Sequence, residues 1–296
     1  FVNRGAKMIE QLLEGTGLFI LAASAFSDLR TREVPDWLSY AALFSGLGIR
    51  LISSVATFNL RPIVQGFTGV IVFAILSLLM YRFGQWGGGD VKLLIGLGSL
   101  IGFAPSLESK AVAFFINLIF VGAAYGLLWV FILAVKNWGK VKNQAARMMK
   151  KGVYKNFRFV TIAFSVMLLL IAIVLAESAL WLIAAAAALL VLSLFYLSLV
   201  VGAVETSCLL KWLPPEKLTE GDWIVKDVIF RGKKIAGPAE LGISRRKIML
   251  LIKLKQKGLL GKNFRVLVKE GIPFVPSFLI AYIAALLFGN FIFLLF

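Results

Sequence analysis

Apolar stretches of roughly membrane length recur eight times along these 296 residues, each closed by charged or glycine-rich breaks. A bilayer-crossing helix needs about 20 apolar residues in succession. The pattern predicts spans over 10–28, 37–57, 62–82, 90–104, 111–135, 159–176, 179–201 and 273–294. Glu10 and Glu14 push the apolar part of the first span back to Gly15. The fourth is short and carries Gly96, Gly98 and Gly102, small residues of the kind that let membrane helices pack closely. The fifth is long enough to tilt. The seven residues before Met8 are set aside.

Only one sizeable stretch escapes this rhythm. Residues 205–272 mix 15 basic with 7 acidic residues, and Pro214-Pro215 and Gly221 punctuate the start. Trp223 to Phe230 reads as a strand, and Ser244 as the cap of a helix over 245–257. The predicted fold class is an all-α polytopic membrane protein of about eight transmembrane helices, with a small cytoplasmic α+β region before the last. The expected division is a membrane core over 8–135, a basic cytoplasmic loop over 136–158 and an additional helix pair over 159–201. A cytoplasmic region over 202–271 and a C-terminal membrane helix over 272–296 complete it.

Composition agrees with the pattern and removes whole classes of chemistry. The chain is 60% apolar and 16% charged, with mean hydropathy +0.90; a soluble domain is nearer half apolar and a quarter charged. There is no His and a single cysteine, Cys208. That excludes a Ser-His-Asp triad, a His-ligated zinc and a disulfide framework. Neither a metal nor a cofactor is expected, and any catalysis falls to carboxylates, Lys, Arg, Ser, Tyr or backbone.

The net charge of +17 is unevenly placed. With the N-terminus outside, 27 of the 32 Lys and Arg fall on inside connections and four on outside ones. The positive-inside rule selects this orientation. Lys136 to Arg158 holds eight basic and no acidic residues, which suits anionic headgroups at about 1 kcal/mol per charge. Because the charge follows topology, nucleic acid is not an expected partner.

Three of the five Asp residues, Asp28, Asp36 and Asp90, precede position 200. The orientation puts Asp28, at the end of the first span, and Asp90, at the start of the fourth, at the cytoplasmic rim. Ionisable residues in a membrane are costly and mark function by default. Two carboxylates brought close cannot both ionise, so they share a proton. The ionised one can activate water while the protonated one polarises a peptide carbonyl. Each also has a structural alternative. Asp90 and Asp36 are at helix starts, where Asp caps well, and Asp28 could pair with Arg30 or Arg32.

The stretch Ser27-Asp28-Leu29-Arg30-Thr31-Arg32-Glu33-Val34-Pro35-Asp36 resembles the first aspartate motif of type IV prepilin peptidases. Gly87-Gly88-Gly89-Asp90-Val91-Lys92-Leu93-Leu94 resembles their second, the GxGD motif. Gly271-Ile272-Pro273-Phe274-Val275-Pro276 is similar to the start of the last helix in the archaeal preflagellin and prepilin peptidases. The resemblance covers 20–135 and about 270–290. It implies an intramembrane aspartyl endopeptidase, with Asp28 and Asp90 as the catalytic pair. Such an enzyme cuts a short basic leader from prepilin or preflagellin (archaellin) precursors at the cytoplasmic face of the cell membrane. Gly87, Gly88, Gly89 and Lys92 then support the second motif, and Glu33 with Asp36 could attract the leader. Six spans form the family core, leaving 159–201 as an extra pair. Bacterial members that also methylate the product carry two CxxC pairs; the single Cys here implies cleavage without methylation.

Two other readings share the same carboxylates. A presenilin-like protease would pair GxGD with Tyr-Asp and Pro-Ala-Leu motifs, but Ser27 precedes Asp28 and Glu240 follows Pro238-Ala239. A cation-coupled transporter would place them at broken helices near the membrane centre.

Overall fold

The computed structural model describes residues 2–240, 242–261 and 263–294. Residues 295 and 296 of the expected C-terminal helix lie outside them. The described chain is mainly helical, and the elements run in this order. Helices α1 (Val2–Thr31), α2 (Asp36–Thr57), α3 (Arg61–Arg82), α4 (Gly88–Ile101) and α5 (Lys110–Lys136) come first. Helices α6 (Trp138–Lys150), α7 (Gly152–Val174) and α8 (Leu180–Val204) follow, then short strands β1 (Leu210–Leu213), β2 (Trp223–Ile224), β3 (Val228–Phe230) and β4 (Lys233–Ala236). Helix α9 (Arg245–Gln256), strand β5 (Val266–Lys269) and helix α10 (Val275–Phe288) close the order, followed by a 3-10 turn at Phe291–Leu294.

Among the described residues six helices are long and apolar enough to cross a membrane: Lys7–Thr31, Asp36–Thr57, Arg61–Arg82, Lys110–Lys136, Gly152–Val174 and Leu180–Leu209. The protein is thus a multi-pass membrane protein by length and composition of its helices. The fourth and eighth stretches of the apolar pattern form shorter helices, α4 and α10, of 14 residues each. At 1.5 Å per residue each is about 21 Å long, short of the roughly 30 Å hydrocarbon core. Eight of the fourteen residues are buried in both, so these are core elements wrapped by the longer helices.

Each ends early for a tertiary reason. At the end of α4 the buried guanidinium of Arg50 donates to the carbonyls of Ser99 (2.7 Å) and Leu100 (2.8 Å). A cation thereby meets the negative end of the helix and satisfies carbonyls that have no partner within it. At the end of α10 the side chain of Asn117 donates to the Gly289 carbonyl (2.7 Å) and accepts the Phe291 N–H (2.9 Å). The chain turns out of the helix around that amide.

The chain divides into two compact units. The first comprises Phe1–Leu127, Leu213–Val266 and Gly271–Phe296. Its core joins Leu21, Leu38, Phe73, Leu93, Leu94, Leu97, Phe114 and Phe278, all nearly inaccessible to solvent. The most extensive helix pairings are α2 with α4 and α3 with α4. Close approach is possible because the interface is built from glycine: a Cβ at Gly96 would stand 2.5 Å from the Ser39 carbonyl oxygen, and one at Gly98 2.6 Å from that of Gly69. Helix α4 is thus clamped on two sides.

Within this unit the stretch read as one strand, 223–230, forms two, β2 and β3, with a bend at Lys226 between them. Strands β3 and β4 make an antiparallel hairpin, Phe230 opposite Lys233. Its two turn residues, Arg231 and Gly232, both have positive φ (49° and 76°), as a two-residue hairpin with the native twist requires. Helix α9 follows Ser244 as expected.

The second unit comprises Leu128–Trp212 and Leu267–Glu270. The basic stretch after Lys136, read as a loop, is largely helical. Val141 and Met148 of α6, seven residues apart on one face, pack against Leu199, Ala203 and Val204 of α8. Lys142 and Arg147 lie among the polar positions between them, and Lys140 just before.

Candidate active site

Asp28 lies one turn before the end of α1. Ser27 and Thr31 shape the chain immediately after it: both hydroxyls donate to the Glu33 carbonyl, at 2.9 and 3.3 Å. This returns Val34 to the interior, where it is buried. Its backbone then meets the second motif. A Cβ at Gly89 would lie 3.4 Å from Val34 Cβ and 3.6 Å from the Val34 nitrogen. The two aspartate motifs, more than fifty residues apart, thus approach within the reach of one added methyl group at Val34 and Gly89.

Asp28 is buried. Its Oδ2 accepts the backbone N–H of Val275 at 2.9 Å, and the Phe274 N–H also reaches the carboxylate. These N–H groups open α10. A helix N-terminus offers unsatisfied donors and a positive dipole end, and so holds an anion well. Asp28 therefore does more than end its span, the alternative its sequence position allowed. The structure instead sets it on the start of a helix nearly 250 residues further along.

Asp90 is half-buried. It is the third residue of α4, and its Oδ2 accepts the N–H of Gly87, the residue that caps the helix, at 2.9 Å. This is the return half of a capping box; Asp90 is not the cap itself. Two short buried helices thus each direct an N-terminal end at one of the two carboxylates. Helices α1 and α4 pack together, and Asp90 lies within electrostatic reach of Asp28.

Aromatic rings surround the pair. Trp86, in the loop before Asp90, meets Phe278 of α10 edge-on at 5.5 Å. Phe274 meets Phe278 at 5.6 Å and Tyr125 of α5 at 6.3 Å. Tyr125 is also within electrostatic reach of Asp28. Neither Phe274, Val275 nor Tyr125 stood out as site residues in the sequence; the Gly271-to-Pro276 punctuation marked a helix start but not what that start would hold.

Other candidate residues lie around the rim. Asp36 is the first residue of α2, with Pro35 in the cap position, so it does not cap that helix through its side chain. Its carboxylate takes the Lys92 ammonium instead, at 2.7 and 2.9 Å. Both side chains are about half exposed, 49% and 55%, so the pair contributes about 1 kcal/mol at most. Lys92 thereby ties α4 to α2. Glu33 is exposed. Gly87, Gly88 and Gly89 form the turn into α4, of which Gly89 makes the contact with Val34.

Comparison with known proteins bears on this same region. The model of the type IV leader peptidase family matches residues 16–139. The preflagellin peptidase of Methanococcus maripaludis (strain C6) is 32% identical over 94 residues, 32% of this chain and 39% of that protein. The preflagellin peptidase of Methanococcus voltae is 33% identical over 85 residues, 29% of this chain and 36% of that one. The prepilin peptidase EppA of Methanothermobacter thermautotrophicus is 32% identical over 108 residues, 34% of this chain and 28% of that one. The chain thus spans well under half the length of these relatives. No solved structure matches. The stretch that matches the type IV leader peptidase family model contains both aspartates, both motif turns and the clamped helix α4.

Proposed function

We propose that the protein is a membrane-embedded aspartyl endopeptidase that removes the short basic leader from a prepilin or preflagellin (archaellin) precursor. One observation carries the reading: two carboxylates from distant helices, Asp28 and Asp90, are collected at the starts of two short helices inside a family-matched core. The names of the relatives, preflagellin peptidase and prepilin peptidase, give the substrate class.

In this mechanism the pair holds one proton. The ionised carboxylate takes a proton from a water molecule as its oxygen attacks the scissile carbonyl carbon. The protonated carboxylate hydrogen-bonds the carbonyl oxygen, keeping its own proton while it stabilises the charge that develops there. The tetrahedral intermediate then collapses, the C–N bond breaks, and the departing nitrogen receives a proton from the pair, which returns to its starting state. No covalent intermediate is formed. The backbone N–H groups at Val275 and Gly87 hold the carboxylates in place throughout, without moving protons.

The orientation that suits this chemistry has the N-terminus outside and both aspartates at the cytoplasmic face of the cell membrane. The charge asymmetry of the connections supports it. Helices α4 and α10 then reach only part way through the bilayer from the cytoplasmic side, giving eight membrane-inserted segments. Glu33 and Asp36 lie where a basic leader would approach, and anionic headgroups would face the basic α6. The test is direct. Purified chain in detergent is mixed with candidate precursors, and the products are weighed by mass spectrometry. Appearance of a leader and a mature subunit from one cut supports the reading; precursors that stay intact at every enzyme concentration refute it.

A further inference from the structure

The family match ends at residue 139, yet a residue far beyond it rests on the turn that leads to Asp90. Helix α3 ends at Arg82 with Phe83 as its cap, and Gly84 follows with φ +67°. The Gly84 N–H donates to the Tyr81 carbonyl (2.8 Å) and the Gln85 N–H to the Met80 carbonyl (2.9 Å), the pattern of a glycine-terminated helix. The space a side chain would fill at Gly84 belongs to Trp223. A Cβ there would stand 3.0 Å from Trp223 Cη2 and 3.1 Å from Cζ3. Glycine is needed twice over, for its backbone and for this indole.

Trp223 is itself firmly held. The Asp222 carboxylate accepts the Thr219 N–H at 2.8 Å. Gly221 N–H donates to the Ile243 carbonyl, and Ile243 N–H to the Asp222 carbonyl, both at 2.9 Å. Ile243 is buried and Ile224, next to the tryptophan, is buried too. A second link runs in parallel: Glu220 lies within electrostatic reach of Lys92, two residues after Asp90. From Gly84 the chain reaches Gly87, whose N–H holds Asp90, in three residues. On its other side the same loop is fixed by the Trp86–Phe278 contact.

We propose that Trp223 is a positioning residue for Asp90, and that the segment Leu213–Val266 is a working part of the active site. The indole sets the end of α3 and, through the 84–89 loop, the Gly87 N–H that orients the Asp90 carboxylate. This rests on the leader-peptidase reading for its kinetic part, but not for its structural part. Supporting groups that lock the geometry of reacting residues matter to the rate, because a displacement of about 1 Å costs on the order of 10²-fold.

The experiment uses the full chain with Cys208→Ser and a nitroxide on Gln85→Cys, a position exposed to solvent. Trp223→Ala, Trp223→Leu and Trp223→Phe are compared. The expected result is a mobile spectral component for Ala and Leu and a rigid one for Phe. It is accompanied by a kcat lowered roughly tenfold to 10²-fold for Ala and Leu, with KM within twofold, and by largely restored kcat for Phe. Leu covers the case in which Ala does not fold. An unchanged spectrum in Leu overturns the proposal, as does an unchanged kcat in a chain whose spectrum has loosened. If the parent chain cuts no precursor, the leader-peptidase reading fails, while the spectra still decide whether Trp223 holds the loop.

Discussion

The carboxylate of Asp28 is bound by the backbone N–H of Val275, 2.9 Å away and 247 residues on in sequence. This contact makes the start of α10 part of the site and fixes where the first aspartate stands. The carboxylate is held by main chain, which cannot swing aside. A side chain one carbon longer cannot occupy the same donors from the same helix turn.

Asp28→Glu should therefore fold and fail. It keeps the charge and the acid–base chemistry but displaces the oxygens by about the length of one methylene. The expected loss of cleavage rate is on the order of 10²-fold, read by following release of the leader. A variant within threefold of the parent would show that the α10 start does not set the geometry.

Arg50 tests the clamp on α4 from its far end. Its guanidinium satisfies the Ser99 and Leu100 carbonyls in a buried setting. Arg50→Met removes the donors and leaves both acceptors stranded, at about 1–3 kcal/mol each. The thermal midpoint in detergent should drop clearly, and Arg50→Lys, with one donor group, should fall between. An unmoved midpoint for Arg50→Met would refute the capping role.

The rim carboxylates should behave differently from the central pair. Asp36 is exposed and pairs with Lys92. Asp36→Lys reverses the charge a basic leader would meet, and likewise Glu33→Lys. Both should raise KM for a precursor severalfold with kcat little changed, and the effect should shrink in high salt. Loss of turnover at saturating precursor would show that these residues do not act by attracting the leader.

Much of this architecture was legible in the chain, and the reasons divide cleanly. The six long helices announce themselves because hydrophobic length is a local property that no neighbour alters. Asp28 and Asp90 could be singled out as candidates because carboxylates are scarce and each lies in a motif at a span end. The lengths of α4 and α10 were not. They depend on Arg50 reaching across from α2 and on Asn117 intercepting Gly289 and Phe291, partners 49 to 174 positions away. The apolar pattern therefore ran on past both true ends. The helicity of 138–150 was hidden by its charge; only Val141 and Met148 betray a buried face. Asp36 looked like a cap because its neighbours made it one, and Lys92 at 2.7 Å decided otherwise.

The central claim is that Asp28 and Asp90 act as one unit on one water molecule. Cleavage rates of Asp28→Asn, Asp90→Asn and the double variant, measured on the same precursor, test it most directly. Residues that work as a unit are strongly non-additive. Each single substitution should cost about 10³-fold or more, and the double should be no slower than either. Two singles that each retain more than a tenth of the rate, or a double whose loss is the product of the two, would contradict the account.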